Sequence, residues 1–221
     1  ESRFARHEPW PTDESWNTEP RLLEALEYMA GQERAPLLIA NHPSRSATAL
    51  GEYGLYTPSE LRNWNDTAPN IAVGMAAAPG HQAAGLYPDG SAGNPKPRGY
   101  YGDAKTMGGF DQFTAVLGGF WDSMLGEGRH WWVTANSDSH VHYTEGGVDF
   151  WPGEYSKTHV WATHDHDSIL DGIRSGRVFV TTGDLISALD FTLAVNGESA
   201  SLGETLSVVA GSEIELSVRF L

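Results

Sequence analysis

Two short polar stretches follow apolar runs, and both carry side chains suited to holding a metal ion. The first is Asn41-His42-Pro43-Ser44-Arg45, directly after "PLLIA". The second is Ser137-Asp138-Ser139-His140, directly after "WWVTAN". Residues two apart in extended backbone point the same way, so Asp138 and His140 present a carboxylate and an imidazole on one side. Such a pair chelates divalent cations of the Zn²⁺, Mn²⁺ or Fe²⁺ type. Taken alone, an Asp-x-His pair is more often a solvated loop, and a lone His more often a hydrogen-bonded turn residue. What lifts these above that background is their shared place. His42 and the Asp138/His140 pair each stand at the carboxyl end of an apolar strand, where parallel α/β proteins build their active sites.

Other candidates are less well placed. His81, in "APGHQAAG", follows the strand "NIAVGM" and is a further ligand or substrate contact. His142 lies two residues past His140 and suits a supporting role. His164 and His166, in "THDHD", open a helix whose acids serve as caps, so a solvated surface accounts for them. His7 and His130 have no informative context, and His159 suits a surface position. Bases are scarce, with 14 Lys and Arg against 29 Asp and Glu. Arg45, beside His42, is therefore the cation expected to meet an anionic oxygen. Lys96, Arg98, Lys105 and Lys157 read as ordinary loop charge.

The elements that must position these residues alternate between helix and strand. A helix is expected over "EPRLLEALEYMAG", with Pro20 in its first turn and Gly31 as its stop. A buried strand follows at 35–41, and "TPSE" opens a second helix through Trp64. The next strand is "NIAVGM", at 70–75, and the Gly- and Pro-rich stretch 78–109 is a long functional loop. One helix is expected over 111–126, with Phe113, Val116, Leu117, Phe120 and Met124 on one side. Strands at 130–136 and 159–163, a helix at 165–176 and a strand at 177–183 complete the series. Repeated βα units predict a parallel sheet or (β/α) barrel. From Ala188 the period becomes two. "LDFTLAVNG", "ETLSVV" and "EIELSVRF" predict three strands of an incomplete antiparallel β-sandwich-like unit. The expected division is 1–187 and 188–221.

The bulk numbers restrict the partners. A chain of 221 residues with 40% hydrophobic content can bury a sizeable core. The formal net charge of −15 disfavours nucleic acid. No apolar run approaches the ~18 residues of a membrane span. There is no cysteine, which removes disulfides, thiolate zinc sites and thiol nucleophiles. The acidic, cysteine-free, Trp-rich composition leans toward an exported protein.

In order along the chain, "LLIANHPSR", "WWVTANSDSH" and "ILDGIRSGRVFVTTGDLI" resemble the PHP (polymerase and histidinol phosphatase) superfamily of metal-dependent phosphoesterases. The nearest branch is the carbaryl-hydrolase-like metallohydrolases. The resemblance implies a distorted (β/α)7 barrel with two or three metal ions at the strand ends. It implies that His42 is the ligand of the "NHP" motif, and that Asp138 and His140 are the closing Asp-x-His ligands. The family also has a His-x-His, a further His and a Glu upstream of "NHP". The 41 residues before His42 contain no His-x-His, so the first part of the barrel is expected to lie upstream of Glu1.

The expected function is hydrolysis of a small anionic phosphomonoester or phosphodiester by a metal-activated water, with Asp138 and Arg45 as catalytic groups. A carbamate or carboxylic ester is the second substrate class. A different metal enzyme, of the amidohydrolase type, would use a similar rim with another ligand order. A non-catalytic glycan- or partner-binding protein on a degenerate barrel is the contrasting alternative.

Overall fold

The computed structural model describes residues 16–44, 53–54, 56–79, 110, 112–137, 153, 156–182 and 186–221. The first layer is helical. Helix α1 (Glu19–Ala30) carries Pro20 in its first turn and ends at Gly31, as expected. Helix α2 (Pro58–Thr67) opens with a capping box. The Glu60 backbone N–H donates to Thr57 Oγ1 at 3.2 Å, and the Thr57 N–H donates to Glu60 Oε2 at 2.7 Å. Two otherwise unsatisfied N–H groups are thereby paired, which fixes where the helix begins.

Strands β1 (Leu38–Ala40), β2 (Ala72–Pro79) and β3 (Trp132–Asn136) form a parallel sheet with β2 in the middle. In the register, Asn136 stands beside Pro79, so β2 and β3 end together, while Ala40 stands beside Met75, so β1 runs the same way and stops earlier along β2. Asn65 clamps the other edge: its Nδ2 donates to the carbonyls of Ala72 (3.0 Å) and His130 (3.1 Å). Gly74 permits the close approach of β2 and β3, since a Cβ there would stand 2.0 Å from the Trp132 carbonyl oxygen. The core lies between this sheet and the helices. Leu26, Leu61, Trp64, Ile71, Met75, Phe113, Phe120, Met124 and Trp131 fill it.

The single helix expected over 111–126 is two: α3 (Gln112–Ala115) and α4 (Phe120–Gly126). Gly118 takes φ +72°, which breaks the helix. Phe113, Phe120 and Met124 remain buried, but the break turns Val116 and Leu117 outward, and Leu117 is 91% exposed.

The next expectation changes more. Strands β4 (Ser156–Val160) and β5 (Val178–Thr182) are antiparallel, joined through helix α5 (His166–Arg174). A βα unit predicts a parallel return, and β4 lies earlier than the expected 159–163. Val160 pairs with Val178, and the Trp161 N–H donates to the Arg177 carbonyl at 2.9 Å. The connection therefore closes on itself as the loop of a hairpin, with α5 inside it. Among the described residues no closed barrel forms.

The third sheet has the order β7-β6-β8, with β6 (Leu189–Val195), β7 (Glu198–Ala200) and β8 (Glu215–Phe220). It is antiparallel, as the period predicts. "ETLSVV" is not a strand, however; β7 lies immediately after the Asn196-Gly197 turn instead. Both turn residues have positive φ (52° and 88°), the geometry of a two-residue hairpin turn. Leu189, Phe191 and Leu193 pair with Phe220, Val218 and Leu216, so one face is apolar and its β8 side is exposed. Gly203 packs against the turn after α5, where a Cβ would meet the Ser175 carbonyl oxygen at 2.1 Å.

Candidate functional site

Three features build the edge toward which β1, β2 and β3 all run. The first is a strained backbone at His42. It follows β1 by one residue and has φ +29°. Only two described non-glycine residues have positive φ, and the other, Asn196, is explained by its hairpin turn. His42 also precedes Pro43, whose ring restricts the preceding residue to extended conformations. A left-handed residue costs roughly 1–2 kcal/mol. Pro43 and Ser44 beyond it are fully buried, which holds the turn in place.

The second feature is β3 itself. The Trp132 indole Nε1 donates to the Arg174 carbonyl at 3.0 Å, and its ring lies over Gly176. The Trp121 indole donates to the Trp131 carbonyl at 2.8 Å. These contacts fix the start of β3, and its end runs through buried Ala135 to buried Ser137. The next residue in the sequence is Asp138.

The third feature is β4. The Ala135 N–H donates to Thr158 Oγ1 at 2.9 Å, and the same hydroxyl donates to the Ala135 carbonyl at 2.7 Å. Trp132 lies at the α5–β5 turn, so β4 runs antiparallel to β3. Ser156, two residues from Thr158 on the same face, is therefore carried toward the edge where Ser137 lies. Ser156 is 2% exposed, and its Oγ has no hydrogen-bond partner among the described residues. Ser44, Ser137 and Ser156 thus place buried hydroxyl-bearing residues around the carboxyl edge. Buried polar groups need partners, and their gathering at one edge of an apolar sheet marks a polar site.

Of the sequence-predicted residues, His42 is described and stands on this edge, half-buried. Asp138, His140, His81 and Arg45 lie outside the described residues, as do His7, His142, Lys96, Arg98 and Lys105. His164 and His166 are exposed, and Asp165 caps α5 by accepting from the Ser168 N–H at 2.9 Å. The Thr163 hydroxyl and that N–H hold the Asp165 carboxyl below its usual range. His159 is built into the β4–β5 pair: its ring stacks on Phe179 at 4.2 Å, and Nε2 lies 3.1 Å from Thr181 Oγ1. Among the described residues no three His, Asp or Glu side chains gather as a metal would require.

Ser156 and Thr158 had no place among the sequence candidates. The signal was present as two hydroxyl residues at alternate positions of a strand. It has meaning only once β4 is known to lie beside β3.

A salt-bridge group braces the opposite side. Glu127 accepts from Arg62 (2.5 Å) and Arg129 (2.7 Å), and Arg129 also reaches Asp66 (2.5 Å). Hydrogen bonds from Arg62 and then Arg129 lower the Glu127 carboxyl from 4.5 to about 2. Both guanidinium groups are raised in turn. The group ties α2 to the turn between α4 and β3, far from the His42 edge.

No protein-family model, curated protein or solved structure matches the chain.

Proposed function

We propose that the chain is a metal-dependent hydrolase of the PHP type, with its site on the carboxyl edge of β1–β3. The observation that carries this reading is His42. A half-buried imidazole sits on a left-handed backbone before a proline, on the same edge toward which β3 leads to Asp138. Strain of this kind concentrates where a side chain must be aimed. On this reading the three parallel strands are part of a (β/α)7 barrel.

His42, Asp138 and His140 would hold the ion, with His81 as a further donor. Imidazole nitrogen and carboxylate oxygen are a donor set that suits Zn²⁺, Mn²⁺ or Fe²⁺, and the family resemblance implies two or three such ions. A bound divalent ion supplies Lewis-acid polarisation of the substrate oxygen and makes water acidic enough to attack at neutral pH. The protein's own groups do the rest. His42 and His140 stay neutral so that a nitrogen lone pair is available. Asp138 accepts a proton or orients the attacking water. Arg45 offers a fork of donors to a phosphoryl oxygen. The apolar wall of β2 behind the edge limits water.

The test is hydrolysis by the full-length protein, supplied in turn with Zn²⁺, Mn²⁺ and Fe²⁺. The substrates are a chromogenic phosphomonoester, a phosphodiester and an aryl carbamate. Metal-dependent turnover of a phosphate ester that falls at least ~100-fold in His42→Ala supports the reading. Turnover unaffected by His42→Ala or by chelator contradicts it.

A further inference from the structure

Strand β8 is an edge strand: β6 flanks it on one side, and among the described residues its other side pairs with nothing. The opposite edge of the same sheet, β7, is only three residues long, and short strands are a common way of blunting an edge. β8 has no such protection. It runs for six residues without proline, and its pairing with β6 is regular from Glu215 to Phe220. Leu216, Val218 and Phe220 are 56%, 47% and 67% exposed. A long, regular, apolar edge is a template for a further strand. We infer that this strand is β8 of a second copy of the chain, paired antiparallel about Ser217.

The order of residues selects a copy as the partner. Directly opposed residues of an antiparallel pair lie on one face of the sheet. A twofold axis at Ser217 sets Glu215 opposite Arg219 of the copy, and Arg219 opposite its Glu215. The same axis sets Leu216 opposite Val218 of the copy, and Phe220 opposite the exposed Ile214 that precedes the strand. Charge meets opposite charge on one face, and apolar meets apolar on the other. An axis on Leu216 or Val218 would set Ser217 opposite Glu215 or Arg219 and break both Glu215–Arg219 pairs.

The chain by itself leaves these charges unmet. Glu215 stands beside Ala194 of β6, so no base faces it across its own sheet. Arg219 stands beside Asp190, and among the described residues neither Glu215 nor Arg219 forms an ion pair. A copy completes a row that alternates in sign: Asp190, Arg219, then Glu215 of the copy. Opposite charges across a strand pair stabilise it, and like charges destabilise it. An acid and a base two residues either side of one centre is the arrangement by which a strand recognises itself.

Two chains of net charge −15 repel at a distance. That repulsion is screened beyond about 8 Å at physiological ionic strength, whereas the opposed pairs lie in contact. Six residues of edge make a small interface, so the association is weak and depends on concentration. No residue of the proposed metal site takes part.

The experiment exploits the absence of cysteine. Ser217→Cys introduces a single thiol, so any disulfide it forms joins two chains. Opposed residues of an antiparallel pair have Cα atoms ~4.5–5.5 Å apart, within disulfide range. Under mild oxidation Ser217→Cys should crosslink at least tenfold faster than Ser199→Cys, which carries its thiol on β7. Sedimentation equilibrium of the full chain from about 5 to about 500 µM should show monomer and dimer in exchange. Glu215→Arg and Arg219→Glu should each weaken the dimer at least tenfold. An equimolar mixture of the two should associate like the parent, because both opposed pairs again carry opposite charge. Glu215 has only Ala194 beside it, so Glu215→Arg remains informative if Arg219→Glu fails to fold. The inference is overturned if the parent stays monomeric throughout that range, if Ser217→Cys crosslinks no faster than Ser199→Cys, or if Glu215→Arg dimerises within twofold of the parent.

Discussion

Thr158 serves as a strand partner for Ala135 with its side chain alone. Its hydroxyl accepts from the Ala135 N–H and donates to the Ala135 carbonyl. One residue of β4 thereby satisfies both backbone groups of a buried position in β3, where no backbone ladder runs. This contact joins the parallel sheet to the β4–β5 hairpin beside the candidate site.

Thr158→Val keeps the shape and removes both bonds. It leaves a donor and an acceptor of Ala135 unsatisfied, with an expected cost of about 1–3 kcal/mol. Thr158→Ser should recover most of it. Thermal melts of the three proteins check this; a Val variant as stable as the parent would refute the role given to the hydroxyl.

Gly176 is required at the end of α5 for two reasons. Its φ is +72°, and a Cβ would stand 2.5 Å from Cε2 of Trp132. Gly176→Ala should cost at least ~1–2 kcal/mol from the left-handed backbone alone. Because Trp132 begins β3, the near-ultraviolet circular dichroism of Trp should change as well. Unchanged stability would contradict both the backbone and the packing requirement at this position.

Glu127 gives a pH dependence with a definite sign. Its folded-state pKa is lowered from 4.5 to about 2, so the stability it contributes is fully present above 4.5. That contribution is lost as pH falls from about 4.5 through about 2. Carboxyl ¹³C titration should place Glu127 well below the ordinary value of 4.5. Glu127→Gln should flatten the stability curve across that acid window, and an identical curve would show that the Arg62 and Arg129 bonds do not persist in solution.

His42 offers a test of strain that does not depend on activity. His42→Gly and His42→Ala both remove the imidazole, but only Gly accepts φ +29° freely. His42→Gly should be more stable than His42→Ala by about 1 kcal/mol, the reverse of the order at an ordinary position. Denaturant unfolding of the pair measures it, and the ordinary order would remove the argument from strain.

The sequence and the fold agree where local pattern is enough. The runs ending in Ala40 and Asn136 are strands of one parallel sheet, and each leads into a proposed ligand segment. The capping box at Thr57 and Glu60 forms as its spacing predicts. Pattern fails where direction is decided by a distant contact. Nothing in "HVWAT" or "RVFVTT" states whether the second strand returns parallel or antiparallel. The Trp161–Arg177 closure and the seating of Trp132 on Gly176 decide it. The split of α3 from α4 was legible in Gly118-Gly119, and β7 in Asn196-Gly197; in both cases the apolar pattern outweighed the turn signal. Ser156 was not legible, because a strand serine is ordinary until its neighbours are known. The ligand set implied by resemblance extends beyond the described residues at Asp138 and His140.

The most direct measurement is the metal content of the full-length protein and two variants by elemental analysis after purification without chelator. At least one equivalent of Zn, Mn or Fe per chain is expected in the parent, with a loss of at least half in both His42→Ala and Asp138→Asn. A parent protein that neither retains nor takes up any of these ions would contradict the metal reading, and so would two variants loaded to the same level as the parent.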